Sequence, residues 1–172
     1  MYLLMQPGSL AAITLAAMLS AAAVAATVPP TDAMAFVSSA AQAGMTEIAA
    51  ARQALDVSKN EAVRTFAARM IADHEKAHAE LMQIATSKQI PFPQALDGPH
   101  AKTVDSLRGK SGKTFDAAYA KQMVRDHAEA VELFQANVVH PDSELSAFAG
   151  RTLAVLQEHK RLADNLAANL KK

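Results

Sequence analysis

The segment MIADH (residues 70–74) is matched 53 residues later by MVRDH (residues 123–127). Both segments have the form Met-x-x-Asp-His, and both lie in long stretches whose apolar residues recur at helical spacing. An Asp-His pair inside an otherwise apolar helix is costly to bury unless its polar atoms find partners. The repeat therefore predicts two equivalent helices that contribute to one polar layer inside a helical bundle.

Residues 1–26 have the character of a cleaved secretory signal. They are apolar and rich in Ala and Leu, they end in small residues at 23–26, and a Pro29-Pro30 break follows. No basic residue precedes Arg52, which departs from the usual signal pattern. A retained membrane anchor is less favoured, because the apolar core is shorter than the roughly 20 residues that span a bilayer. We therefore predict export, with residues 27–172 as the mature domain and no integral membrane span after cleavage.

Charge and cysteine content exclude several classes of function. Lys plus Arg and Asp plus Glu both number 17, so no net field attracts nucleic acid or an anionic membrane. Cysteine is absent, which excludes disulfides, thiolate metal sites, catalytic thiols and a lipid-modified cysteine. We expect no nucleic-acid partner, and the sequence leaves a homo-oligomer open.

Caps and helix breakers divide the chain beyond Pro30 into four long helices and one short helix. The predicted helices cover residues 31–56, 61–88, 100–108, 113–138 and 143 onwards, with N-caps at Thr31 or Asp32, at Asn60, and at Asp142 or Ser143. Tight turns make two antiparallel hairpins, and the prolines between residues 91 and 99 mark a long crossover. This is the ferritin-like layout. We predict an all-α, ferritin-like four-helix bundle whose crossover carries the short helix between the second and third bundle helices.

The first helix has a narrow apolar stripe that is expected to face the core. Its predicted members are Val37, Ala41, Gly44, Ile48, Ala51 and Leu55. Gly44 is expected to allow a close approach of the neighbouring helices. His100 and His140 lie beside prolines in the connections, and we expect both to be at the surface.

Four ionisable residues lie near the midpoints of the four long helices: Glu47, His74, His127 and His159. Each is within about 5 Å of its helix midpoint along the axis, at 1.5 Å per residue. Because the midpoints of an antiparallel bundle share one level, we expect one carboxylate and three imidazoles at similar height. Bundle cores that bind metals use side chains from facing helices in this way.

The predicted metal ligands are therefore Glu47, His74, His127 and His159. Imidazole with carboxylate suits Zn, Fe, Mn or Cu. Asp73 and Asp126 are expected to accept hydrogen bonds from imidazoles on neighbouring helices, which would fix the ring tautomers. Met70 and Met123 precede their histidines by one turn and either add soft ligands or fill gaps in the core.

Two alternatives to a metal remain open. The His-Asp pairs can serve only to fix helix register, or the layer can hold an organic cofactor. The usual di-iron pattern requires Glu-x-x-His on two helices, whereas here only Glu75 and His78 match it. No catalytic residue is assigned.

Several segments resemble the DUF4142 family. They include Gly44-x-x-Glu47, Phe66-Ala67-x-x-Met70 with Asp73-His74, Phe115-Asp116-x-x-Tyr119, Met123-x-x-Asp126-His127 and the late His159. The resemblance covers residues 33–166. It implies a bacterial protein that is periplasmic or secreted and has a ferritin-like fold, and it supplies no established activity.

Three hypotheses of function follow. The first is a non-enzymatic or weakly redox-active bundle that binds a transition metal, for metal handling or for protection against oxidative or envelope stress. The second is a structural or interaction module whose polar layer is only hydrogen-bonded. The third is a di-metal oxidase or peroxide-consuming enzyme, which would need Asp73, Asp126 or Glu158 as a second carboxylate.

Overall fold

The computed structural model describes residues 31–171, with side chains from Ala33 onwards. These residues form five helices and no strand: α1 (Thr31–Val57), α2 (Glu61–Ser87), α3 (Gly98–Asp105), α4 (Gly112–Asn137) and α5 (Ser143–Asn169). The predicted signal at residues 1–26 lies outside the described residues, as do the side chains of the expected caps Thr31 and Asp32. The predicted all-α class is confirmed.

Side-chain caps define the starts of three helices. The Asn60 carboxamide oxygen accepts from the amides of Ala62 and Val63 at 2.9 and 3.2 Å. Asp142 caps α5 in the same way. Asp97 caps α3, which begins at Gly98 and ends at Asp105, so the predicted bounds of 100–108 are wrong. Pro99 is tolerated there because the first turn of a helix needs no proline N–H.

A Schellman motif ends α2 and directs the chain into the crossover. Gln89 adopts a positive φ of 56°, and its N–H donates to the Thr86 carbonyl at 3.1 Å. The N–H of Ile90 donates to the Ala85 carbonyl at 2.8 Å. These are the two bonds of the motif, and buried Ile90 supplies the apolar contact that usually accompanies it.

The two hairpins, α1/α2 and α4/α5, pack through α1 against α4 and α2 against α5, and α3 lies on α1. Gln42 on α1 fixes the crossover: its amide donates to the Ala95 carbonyl at 3.0 Å, and its oxygen accepts from the Asp97 N–H at 3.1 Å. The crossover therefore reaches α1 at one defined position and places α3 beside it. No helix within residues 31–171 combines the length and apolar character needed to cross a membrane.

The core consists of two apolar clusters. One draws on residues 33–41 of α1, 81–90 of α2 and its exit, 130–134 of α4 and 145–156 of α5. The other draws on residues 50–54, 63–70, 107–123 and 163–166. Glu47, His74, His127 and His159 belong to neither cluster, and on every long helix the polar residue falls between the two. The core is therefore divided across its middle by a layer of one carboxylate and three imidazoles.

Two details of the predicted core differ from the structure. The inward face of α1 is rotated, so that Phe36 and Ala54 are buried whereas Ile48 and Leu55 are only half-buried. A Cβ built on Gly44 would meet nothing within 4 Å, so this glycine does not serve a close helix approach.

The surface position expected for His140 is also wrong. Its exposure is 8%, and its ring lies 6.2 Å from that of Phe36. The ring Nδ1 accepts from the Asp142 N–H at 3.0 Å. The turn before α5 therefore folds over the end of the apolar core instead of extending into solvent.

Candidate metal centre

Three helices place one imidazole each at the centre of the bundle. His74 comes from α2, His127 from α4 and His159 from α5, with exposures of 8%, 0% and 1%. The ring centroids are 5.4–5.6 Å apart. One nitrogen of each ring lies within 4.8 Å of one nitrogen of each other ring. The three histidines therefore form a compact, buried group, which we call the histidine triad.

Hydrogen bonds from outside the triad assign the tautomers of two rings. The Nδ1 of His127 lies 2.9 Å from the Met123 carbonyl, which can only accept, so Nδ1 carries the proton. The Nε2 of His159 lies 2.8 Å from Asp73 Oδ2 and donates to that carboxylate. Each neutral ring therefore has its lone pair on the other nitrogen, Nε2 of His127 and Nδ1 of His159.

These lone-pair nitrogens have no hydrogen-bond partner. Within the described part of the chain, Nε2 of His127, Nδ1 of His159 and Nε2 of His74 are all buried and unpartnered. Leaving a buried acceptor unsatisfied costs about 1–3 kcal/mol. Each ring thus offers one unpartnered nitrogen, and three such rings close together suit an ion that accepts lone pairs.

The spacing of the triad fits a metal after a small closure of the rings. Two nitrogens bound to one tetrahedral ion at about 2.05 Å lie roughly 3.4 Å apart. From separations within 4.8 Å, the rings must approach by at most about 1.4 Å.

Burial keeps all three imidazoles in the neutral form that binds metals. It lowers the pKa of His127 to about 4, despite the opposing hydrogen bond to Met123. Burial and the two neighbouring imidazoles hold the pKa of His74 well below its usual range. Burial also lowers the pKa of His159, although the Asp73 carboxylate opposes the shift. A metal arriving at neutral pH would therefore have no proton to displace.

Glu47 lies beside the triad and is not part of the converging group. Its Oε1 is 3.5 Å from Nδ1 of His127, the nitrogen that points away from the lone-pair side. Burial, and then the charge of Asp126, raises the pKa of Glu47 well above its ordinary value. Direct ligation by Glu47 stays a prediction, and its observed position is that of a neighbour of His127.

The two aspartates of the repeated motif have different partners. Asp73 accepts from His159 on α5, and hydrogen bonds from His159 and Arg69 outweigh burial to lower the Asp73 pKa. Asp126 accepts from Arg125 through Oδ1 and receives no bond from an imidazole. The partners differ because Asp73 faces α5, which carries His159 at this level of the bundle. Asp126 instead faces α1, which carries Glu47 at the same level.

The methionines of the motif belong to the apolar core. Met70 and Met123 are both fully buried in the cluster on one side of the layer. Met123 contributes its backbone carbonyl to His127.

Two cavities adjoin the triad. One of about 30 Å³ lies between Glu47 and His74 and is otherwise lined mainly by apolar side chains. A site of that size holds one or two water molecules. A second cavity of about 170 Å³ between α2 and α5 reaches both His74 and His159 from the surface. The triad therefore has room for a further ligand and a route by which it can arrive.

Sequence reasoning missed the role of α3 beside Glu47. A pocket of about 530 Å³ between α1, α3 and α4 includes Glu47, His100 and Asp126. Nothing local in the sequence of α3 indicated it, because the crossover is positioned by Gln42. The available signal was Asp126, which has the same place in its motif as Asp73.

Comparison with known proteins gives a family and a fold. The family described as "Domain of unknown function (DUF4142)" matches residues 17–166. The "Crystal structure of DUF305 fragment from Deinococcus radiodurans" is similar at a TM-score of 0.73 and 16% identity, covering 82% of this chain and 99% of that one. At this identity the likeness concerns the fold alone, and it confirms the predicted ferritin-like helical bundle. No curated protein matches the chain.

Proposed function

Because the chain belongs to the DUF4142 family, a domain of unknown function, we propose a function from its site: the protein binds a transition metal through His74, His127 and His159. One observation carries the proposal. Three buried imidazoles from three helices converge, and each has a buried nitrogen without a partner among the described residues. Neutral imidazole nitrogens suit Zn, Cu, Fe and Ni among biological metals.

The arrangement supports an ion with an open coordination position. Three histidines leave one position of a tetrahedral ion for water or another small ligand. The 30 Å³ cavity beside His74 supplies the space. Asp73 would hold the ring of His159 in orientation, and the Met123 carbonyl would do the same for His127.

Metal handling in an exported protein, or protection against oxidative or envelope stress, is the role we propose for this site. The proposal of export rests on the apolar residues 1–26 of the sequence. The two apolar clusters on either side of the triad can separate a bound ion from bulk water. An enzymatic role is not assigned.

A purely structural polar layer is the competing interpretation. In that case the imidazoles would be expected to pair with each other or with carboxylates, as His159 does with Asp73. The unpartnered nitrogens argue against this interpretation. A layer that only fixed helix register would be more stable if its buried acceptors were satisfied, because each unsatisfied acceptor costs free energy.

Elemental analysis of untagged protein, followed by titration with Zn²⁺ and Co²⁺, tests the proposal. We expect one Zn²⁺ or Co²⁺ bound by the triad in the wild type and in His100→Ala, which removes an imidazole on α3 outside the triad, and no Zn²⁺ or Co²⁺ at the triad in His127→Ala. Saturation at a hundred times Kd should raise the free energy of unfolding by about 2.7 kcal/mol. Wild-type protein that binds neither ion and keeps its melting temperature after chelation would favour the structural interpretation.

A further inference from the structure

A second polar site lies on the other side of Glu47 from the histidine triad. The pocket of about 530 Å³ between α1, α3 and α4 has Thr46 and Glu47 on one wall and Asp126 and Glu129 on another, with His100 at α3. This pocket opens between different helices from the 170 Å³ cavity that reaches the triad. A ligand here would therefore meet oxygen atoms of α1 and α4.

Two residues that line this pocket each have a buried carboxylate oxygen without a hydrogen-bond partner within residues 33–171: Oε2 of Glu47 and Oδ2 of Asp126. Glu47 is only 3% exposed, so its carboxylate lies at the buried end of the pocket. Glu47 on α1 and Asp126 on α4 line the same pocket, so both residues border one space. Two buried acceptors that belong to one pocket and lack a donor are stabilised by a positive ion that binds there.

The charges around the pocket favour a cation. Glu47, Asp126 and Glu129 outnumber the one guanidinium, Arg125. That guanidinium is already engaged, with Asp126 Oδ1 at 2.7 Å and Glu129 at 4.0 Å. The oxygens at the buried end of the pocket therefore remain free for an incoming positive ion.

Comparison of the two copies of the Met-x-x-Asp-His motif shows that Asp126 lacks the imidazole donor that Asp73 has. On α2 the aspartate of MIADH meets His159 of α5, and donor and acceptor satisfy each other. On α4 the aspartate of MVRDH meets a helix that presents Glu47, which is another acceptor. Histidine and aspartate satisfy each other as donor and acceptor, whereas two carboxylates that line one pocket need a positive ion or a shared proton to be satisfied together.

We propose that Glu47 and Asp126 bind a hard divalent cation of the Mg²⁺ or Mn²⁺ class in this pocket, as a site separate from the histidine triad. Carboxylate and water oxygens are the ligands that these ions prefer. Such ions keep several waters and take one or two protein carboxylates. The pocket volume leaves room for those waters, since each occupies about 30 Å³ in the liquid.

Mn²⁺ is the probe, because the free aqueous ion gives an electron paramagnetic resonance signal that is lost on binding. The wild type and a His159→Ala variant, in which the triad is broken, should each bind one Mn²⁺ per chain. Asp126→Asn should weaken Mn²⁺ binding at least about tenfold, since one of two carboxylate ligands is lost. The matched control is Glu80→Gln, which removes a half-exposed carboxylate between α2 and α5. It should bind Mn²⁺ as the wild type does.

Metal binding by the two variants distinguishes a failure of the proposed Mn²⁺ site from a failure of the histidine triad to bind metal. Asp126→Asn should still take up Zn²⁺ at the histidines, whereas His159→Ala should lose Zn²⁺ and keep Mn²⁺. If Asp126→Asn does not fold, paramagnetic broadening in the wild type decides, and the amides of Thr46, Glu47 and Asp126 should broaden first. Absence of Mn²⁺ binding to the wild type would overturn the proposal and indicate that the two carboxylates share a proton. The proposal would also be overturned if Asp126→Asn bound Mn²⁺ as tightly as the wild type, or if Mn²⁺ broadened amides elsewhere in the protein.

Discussion

Acidification of the metal-free protein should reveal the buried state of His127. Its pKa in the fold is about 4 because of burial, against an ordinary value of 6.5. A lowered pKa means that the unfolded chain binds the proton first as pH falls. Between these two pH values the unfolded state therefore carries more protons, and the free energy of unfolding decreases as pH decreases.

The magnitude follows from the two pKa values. Between pH 7 and pH 4.5, His127 alone should remove roughly 2 kcal/mol of stability, from the ratio of its proton binding in the two states. His74 and His159 act in the same direction, because their pKa values are also lowered by burial. Glu47 acts in the opposite direction, since its raised pKa lets the folded protein hold a proton that the unfolded chain has released.

Urea unfolding followed by circular dichroism at pH 7 and pH 4.5, on protein stripped of metal, measures this difference. Comparing each protein with itself at two pH values removes the packing cost of a substitution. His127→Gln should reduce the loss of stability by roughly 2 kcal/mol. Glu47→Gln should increase the loss, because it removes the opposing contribution. Equal losses in the wild type and His127→Gln would show that the ring is not shielded from protons in the fold.

Three further substitutions test other parts of the structure. Asp73→Asn leaves His159 without its carboxylate acceptor and should weaken Zn²⁺ binding about 10- to 100-fold, as measured by competition with a chromophoric chelator. Gly44→Ala places a methyl group where nothing lies within 4 Å and should raise stability by about 0.5–1 kcal/mol in urea unfolding, a loss of stability being the contrary result. Gln89→Gly removes a side chain from a residue at φ 56° and should raise the free energy of unfolding by roughly 1 kcal/mol, whereas a drop would mean that the side chain makes a favourable contact.

Local sequence signals were sufficient for most of the helical framework. Asn60 and Asp142 predicted two helix starts because a side-chain cap acts on amides only two or three residues away. The bounds of α3 were less accurate, because Gly98 and Pro99, although typical helix breakers, lie in the first turn that Asp97 caps. The inward face of α1 was predicted only in part: Val37, Ala41 and Ala51 are buried as expected, whereas Ile48 and Leu55 are half-buried. In a helix this rich in alanine, the small side chains are compatible with both positions and do not fix the face.

The sequence by itself determined the level at which the polar residues lie. A helix rises by a fixed amount per residue, so the positions of Glu47, His74, His127 and His159 along their own helices were enough to place them between the two apolar clusters. Only the tertiary structure decided how these side chains meet. The helix that faces Asp73 carries His159 and the helix that faces Asp126 carries Glu47, and this depends on which helices pack together. Helix packing is set by contacts between residues far apart in the chain. It gave Asp73 an imidazole donor from another helix, whereas the donor to Asp126 is Arg125 of its own helix.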